Sequence, residues 1–246
     1  MRIFYSAINY IRSALPSESA PPAPVTTQSL TRNAALASEM PDGWMTQDEL
    51  DILYRLGLQG ESIIEIGSWI GRSTCAIASG IRDRVTKPTR FDVIDHGITG
   101  ERDWYRRFDA SLSLDPKFEA VRVPGGIGGQ LMQNLADRDL LKFTTLVVLG
   151  DIRYYTPIIK YNTAFLDILH DDNEIAMNMP IIKNLLEDEY IFLADDVVDE
   201  IHASKIAYHL GSVSWTLSRP IKEYSKLGLF WTKDFEDRAN YIMHGN

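Results

Sequence analysis

The sequence predicts one α/β domain in which a mostly parallel, doubly wound sheet carries helices on both faces. Three observations predict it. Seven short runs of strand character alternate with helical patterns along the 246-residue chain, the alternation of layered α/β folds. The first two runs, SIIEIG and RFDVID, enclose a glycine turn and a helical stretch, the order of a crossover between parallel strands. A composition of 45% hydrophobic and 24% charged residues suits a globule with a sizeable core, and a chain of this length commonly forms a single unit of this class.

The opening MRIFYSAINYIRSAL spaces Phe4, Ile8, Tyr10 and Ile11 for one face of a short amphipathic helix. Asn9 and Arg12 interrupt its apolar character and no small-residue cleavage site follows, so it reads as a terminal segment rather than a signal peptide. PSESAPPAPVTTQ, residues 16–28, has no apolar period and is expected to be a mobile linker. The expected organisation is therefore an N-terminal segment and linker over 1–39 and a folded domain over 40–246.

Within that domain Thr46 and Glu49 make a capping-box pair, and Leu50, Leu53, Tyr54 and Leu56 form a helical stripe that stops at Gly57 and Gly60. SIIEIG, a β-branched strand, closes on Gly67, and a helix is expected from Ser73 to Ile81 before RFDVID. The stretch 96–130, with Trp104, Tyr105, Arg106, Arg107 and PGGIGG, reads as a substrate-facing insertion with a helix near Trp104. A helix over Leu131 to Leu141, strands at TTLVVLGD and AFLDIL, a helix over Ile175 to Leu186 and a strand at YIFLADD follow. A helix over Glu200 to Leu210 and strands over Ser212 to Leu217 and Leu227 to Thr232 close the series.

Twenty-five Lys and Arg against 34 Asp and Glu leave a formal charge of −9, with no basic block. Nucleic acid is therefore not an expected partner, because its binders need a basic footprint. The one cysteine, Cys75, rules out an intrachain disulfide and fits a reducing compartment. No apolar run approaches the ~20 residues of a membrane span, and the chain reads as cytoplasmic. One sequence does not decide self-association, and a homo-oligomer stays open.

The residues that carry chemistry gather at predicted strand ends. Glu65-Ile66-Gly67-Ser68-Trp69-Ile70-Gly71, followed by Ser73, lies between a strand and a helix, where open α/β sheets bind ligands and glycine lets the backbone approach a nucleotide. Its E-x-G-x-x-x-G spacing departs from the dinucleotide G-x-G-x-x-G, which argues against NAD. Asp95 ends RFDVID, where a carboxylate can accept from both ribose hydroxyls; strand ends also carry Asp simply as a turn former. His96 follows it and can face cofactor or substrate.

ESIIEIGSWIGRST resembles the first motif of class I S-adenosylmethionine-dependent methyltransferases, and FDVIDHG resembles the second, whose acid holds the ribose. LVVLGD resembles a strand of that family after which an acid, here Asp151, sits near the adenine amino group, and LGLFWTK resembles its last, antiparallel strand. The likeness covers about residues 45–235. It implies a Rossmann-like, mostly parallel seven-stranded sheet with an antiparallel last strand, and S-adenosylmethionine held by Glu65, Gly67, Ser68, Gly71, Ser73, Asp95, His96, Asp151 and Asp167.

Asp167 and His170 form D-x-x-H at the end of AFLDIL, and Asp195 and Asp196 end YIFLADD. On neighbouring parallel strands these carboxylates and the imidazole meet on one rim, where crowded carboxylates repel unless protonated or shared by a cation; Mg²⁺ suits such an oxygen set. The arrangement resembles the metal-dependent O-methyltransferases of the cephalosporin hydroxylase and macrolide sugar methyltransferase type. That resemblance implies Asp167, Asp195 and Asp196 as ligands of a divalent cation and His170 as the base. The chain departs from the usual D-G-D-H in having Asp167-Ile168-Leu169-His170, and has Asp188-Glu189 where a glycine pair is usual.

Asp171, Asp172 and Glu174 read as the solvated start of the next helix, where acids suit the dipole. His202, His209 and His244 read as surface or structural residues. The implied reaction is methyl transfer to a hydroxyl of a small molecule or sugar, with Trp69 and Trp104 suited to stacking on a sugar face or phenol ring. Two alternatives stay open: a metal-independent methyltransferase on the same fold, and a non-catalytic nucleotide- or partner-binding relative.

Overall fold

Alternating apolar strands and amphipathic helices assemble as the sequence leads one to expect. The computed structural model of the protein describes residues 40–84, 90–97, 124–211, 213–218 and 225–245. The expected N-terminal segment and linker, the helix near Trp104 and Ser212 lie outside the described residues. The described elements are α1 (Gln47–Gln59), β1 (Ser62–Ile66), α2 (Arg72–Asp83), β2 (Arg90–Asp95), α3 (Gly126–Asp137), β3 (Leu146–Leu149), β4 (Tyr161–Leu166), α4 (Asp172–Leu185), β5 (Leu186–Ala194), α5 (Glu200–Leu210), β6 (Ser214–Leu217), β7 (Gly228–Trp231) and α6 (Glu236–His244).

They form one seven-stranded sheet in the order β3-β2-β1-β4-β5-β7-β6. The first five strands pair in parallel, and β7 runs antiparallel between β5 and β6. Both faces are covered, which is why the central strands are apolar almost throughout. Ile63, Phe91, Val93, Phe165 and Leu229 join α1, α2 and α6 through Leu53, Ile77 and Ile242. Ile64, Ile94, Leu166, Phe192 and Phe230 join α4 and α5 through Met179 and Ile206. Among the described residues, no helix is long and apolar enough to cross a membrane.

Local signals hold where local physics decides. The capping box forms as expected, with the Glu49 N–H donating to Thr46 Oγ1 at 3.3 Å and the Thr46 N–H donating to Glu49 Oε2 at 2.8 Å. α5 spans the expected residues.

Elsewhere tertiary packing moves the boundaries. α1 runs through Gly57 to Gln59, and only Gly60 ends it. Gly57 is a packing residue, since a Cβ there would overlap the Ile77 carbonyl of α2. α3 starts inside the glycine cluster rather than at Leu131, because buried Ile127, Leu131 and Leu135 make one i, i+4 stripe; it ends at Asp137, ahead of Leu141. β4 begins at Tyr161 and its ladder with β5 stops at Leu166 and Ala194, so Asp167 is the first residue beyond the strand. β5 takes Leu186 from the expected helix and ends before Asp195. α6 was not foreseen; it docks on α1, where the Arg55 guanidinium donates to the Ile242 carbonyl at 2.6 Å.

Candidate functional site

The chain passes from β1 outward to β2 and β3, then returns to lay β4 on the other side of β1. The loops leaving β1 and β4 therefore diverge, which opens a crevice at the carboxyl ends of the strands. Glu65, Asp95, Asp151, Asp167, Asp195 and Asp196 lie along this rim, at or just beyond the ends of β1 to β5.

The β1–α2 turn forms one side. Gly67 has φ +88°, and a Cβ on it would stand 2.5 Å from the Asp167 carbonyl oxygen, so only glycine lets this turn lie against the end of β4. Trp69 also adopts a positive φ of 48°, a strain of about 1–2 kcal/mol for a side-chain-bearing residue. Asp95 offsets it: the N–H groups of Ser68 and Trp69 both donate to Oδ2 at 2.9 Å, and the Gly97 N–H donates to Oδ1 at 2.8 Å. Burial raises the Asp95 pKa, while these backbone donors pull it down. The acid expected to face a ribose thus first holds the turn together.

Glu65 is fully buried beneath the same turn. The Ser73 hydroxyl donates to its Oε1, whereas Oε2 makes no hydrogen bond. Burial pushes this carboxyl up to about 8, so it keeps its proton at neutral pH. Gly71, with φ +90°, precedes α2, whose N-terminus has no side-chain cap. His96 is exposed and lies near both Asp95 and Asp151. Asp151 accepts from the Arg153 guanidinium and from the Arg153 N–H at 2.8 Å, and that pairing holds its carboxyl down near 2.

The other side of the rim follows β4 and β5. Asp167 Oδ1 is 3.2 Å from His170 Nε2, and Asp196 Oδ2 is 3.8 Å from the same nitrogen. Asp167, His170 and Asp196 each offer a ligand atom within 4.8 Å of the others. Hydrogen bonding to Asp167, and then to Glu174, raises the His170 pKa to about 9. Asp195 stands apart from this group. Its Oδ1 accepts the Asp196 N–H at 2.8 Å, and burial, then the charge of Asp167, raises its carboxyl to about 8. The left-handed backbone of Asp196, φ +58°, is what turns the second acid of the pair toward His170.

Comparison with known proteins bears on the fold. No protein-family model and no curated protein matches the sequence. A crystal structure of a candidate O-methyltransferase from Klebsiella pneumoniae matches with a TM-score of 0.50 at 15% identity, over 92% of this chain and 96% of that one. The fold is that of the class I methyltransferases. A methyltransferase structure from Geobacter sulfurreducens matches with a TM-score of 0.49 at 13% identity, over 92% of this chain and 94% of that one.

Within this methyltransferase fold, the rim also holds residues that the sequence reading passed over. Glu174 is no idle helix-start acid: its Oε2 accepts the His170 N–H at 2.9 Å and lies 2.7 Å from His170 Nδ1. Its i, i+4 spacing from His170 was the available signal. Asp171 is the N-cap, accepting from Asn173 and Glu174, and Asp172 pairs with Lys205. Lys226, between β6 and β7, donates to Asp196 Oδ1 at 2.9 Å. The Trp44 ring lies 5.8 Å from that of Trp69. Nothing in the sequence around Lys226 or Trp44 signals these contacts. His202 keeps the structural role expected of it, with Nε2 2.8 Å from the Leu169 carbonyl oxygen.

The residues present fit the groups that a methyltransferase fold implies. For S-adenosylmethionine, the turn supplies the buried, unbonded Glu65 Oε2, and the β3 end supplies Leu149, 47% exposed, beside Asp151. For a divalent cation, Asp167 and Asp196 supply two carboxylates, an oxygen set that suits Mg²⁺, with the His170 imidazole beside them. Among the described residues, the ligand atoms that come together are those of Asp167, His170 and Asp196; Asp195, also expected as a ligand, is not in that group.

Proposed function

We propose that the protein is an S-adenosylmethionine-dependent O-methyltransferase, assisted by a divalent cation, that acts on a hydroxyl of a small molecule or sugar. The observation that carries this reading is the contact of Gly67 with the Asp167 backbone. It sets the turn suited to a nucleoside donor directly beside the cluster suited to a hydroxyl acceptor. The similarity to the candidate O-methyltransferase from Klebsiella pneumoniae points the same way.

In this reading Glu65, Gly67, Ser68, Gly71, Ser73 and Asp95 shape the donor turn, and His96, Asp151 and Asp167 border it. S-adenosylmethionine supplies an electrophilic methyl group when bound there. Alignment of nucleophile, methyl carbon and sulfur lowers the barrier by up to ~7–11 kcal/mol. Asp167 and Asp196, with Asp195 behind them, would hold a divalent cation, which would supply a lowered pKa at an acceptor hydroxyl. The Asp167 and Glu174 carboxylates hold the His170 ring protonated at neutral pH, and a cation on Asp167 and Asp196 would take up the charge that does so, after which Nε2 could accept a proton while Nδ1 stays on Glu174. In that state Nε2, close to both Asp167 and Asp196, would take the proton from an acceptor hydroxyl held between these carboxylates. The reading keeps the folded domain at 40–246 and a cytoplasmic setting, with which the buried free thiol of Cys75 agrees.

Calorimetry tests the donor half: S-adenosylhomocysteine should bind at micromolar concentration and binding should be lost in Asp95→Ala, and no binding by the intact protein would sink the reading. Transfer of labelled methyl to a panel of sugar and catechol hydroxyls, with and without EDTA, tests the acceptor half. Transfer indifferent to EDTA favours a metal-independent enzyme, a second reading supported by the Lys226 ammonium on Asp196. Binding without any turnover favours a non-catalytic relative.

A further inference from the structure

Lys226 joins the acidic end of the rim through its backbone as well as its side chain. Its N–H donates to Glu49 Oε1 at 2.8 Å, and its carbonyl accepts the Val197 N–H at 2.8 Å. Glu49 is itself buried and committed at its other oxygen to the capping box of α1. The peptide groups on both sides of Lys226 are thus fixed, one to α1 and one to the corner that follows Asp196. From that anchored backbone the ammonium reaches Asp196 Oδ1, on the same carboxylate whose Oδ2 faces His170. Asp195 and Glu49 also lie close enough to Lys226 to act on its charge.

We infer that Lys226 is a resident counter-charge that sets how tightly Asp167 and Asp196, beside His170, bind a divalent cation. The inference rests on the cation proposed above and adds what governs its affinity. An ion entering the cluster must share Asp196 with, or displace from it, an ammonium whose backbone is anchored beside that carboxylate, and like charges a few ångströms apart repel strongly at a partly buried site. Without that charge, Asp167 and Asp196 are left with less compensation and attract a cation more strongly. The side chain is half exposed, so its replacement leaves the core intact.

Mn²⁺ is the probe, followed by electron paramagnetic resonance and calorimetry on the full chain, with a melting curve for each variant. Lys226→Met, close in length but uncharged, should bind Mn²⁺ at least about tenfold more tightly than wild type, whereas Lys226→Arg should stay within about threefold. The gain should vanish when Asp167→Asn is added. Equal, measurable affinity in wild type and Lys226→Met overturns the inference and leaves the cation site standing. A gain that survives Asp167→Asn also overturns it, because the ion is then bound elsewhere. Absence of Mn²⁺ binding in both folded proteins overturns the cation reading together with the inference.

Discussion

The two ends of the rim solve the problem of crowded acids in opposite ways. At the β1 and β2 ends, Glu65 and Asp95 are buried, and the protein compensates them itself: one keeps a proton beneath Ser73, and the other collects the N–H groups of Ser68, Trp69 and Gly97. At the β4 and β5 ends, Asp167 and Asp196 are about one-third exposed and face an imidazole and an ammonium. Backbone donors have fixed positions and serve to shape a rigid turn. Side-chain cations on an open edge can be displaced, so the second end can exchange partners where the first cannot.

The largest effect should come from breaking the rigid end. Gly67→Ala forces a Cβ into left-handed backbone and against the Asp167 carbonyl, and denaturant titration should show a loss of about 2–5 kcal/mol. A loss below 1 kcal/mol, within ordinary surface variation, would mean that the turn is not pinned to β4. Next comes Asp95→Ala, which strips the acceptor from three backbone donors but leaves a space at the rim that water can enter, so the loss should be about 1–3 kcal/mol in all. Its urea midpoint should fall well below that of Asp95→Asn, which keeps one carbonyl acceptor.

Glu65 sharpens the comparison through pH. Its folded pKa of about 8 lies above the unfolded value of 4.5, so the native state holds a proton that the unfolded chain releases. The contribution to stability is full below pH 4.5, declines as pH rises and is gone above about pH 8. Glu65→Gln should remove this slope: its melting temperature relative to wild type should be higher at pH 8 than at pH 5. Equal differences at both pH values would show an ionised Glu65. The smallest effect is expected at the rim's outer edge, where the exposed Arg153 pairs with Asp151; Arg153→Ala should leave the melting temperature unchanged, as exposed ion pairs add little.

The central strands and the capped helices were readable from the chain because nearest-neighbour physics sets them. The capping box of Thr46 and Glu49 needs only residues three apart, and RFDVID forms its strand wherever it lies in the sheet. Gly57 misled because a glycine that ends a helix and one that lets two helices touch look alike in sequence. α6 was missed because its buried side is narrow, with Ala239, Ile242 and Met243 as the core contacts between charged neighbours.

For the site, the chain alone specified that acids crowd the strand ends, since each acid follows an apolar run that ends where the sheet ends. Which of them meet was settled only in three dimensions. A single left-handed residue selects Asp196 over Asp195 as the neighbour of His170. Glu49 holds Lys226 across 177 positions of sequence, a contact that depends on β7 lying antiparallel beside β5. Side-chain type and local period are properties of a short window, whereas the meeting of charges depends on strand order and on where the backbone reverses.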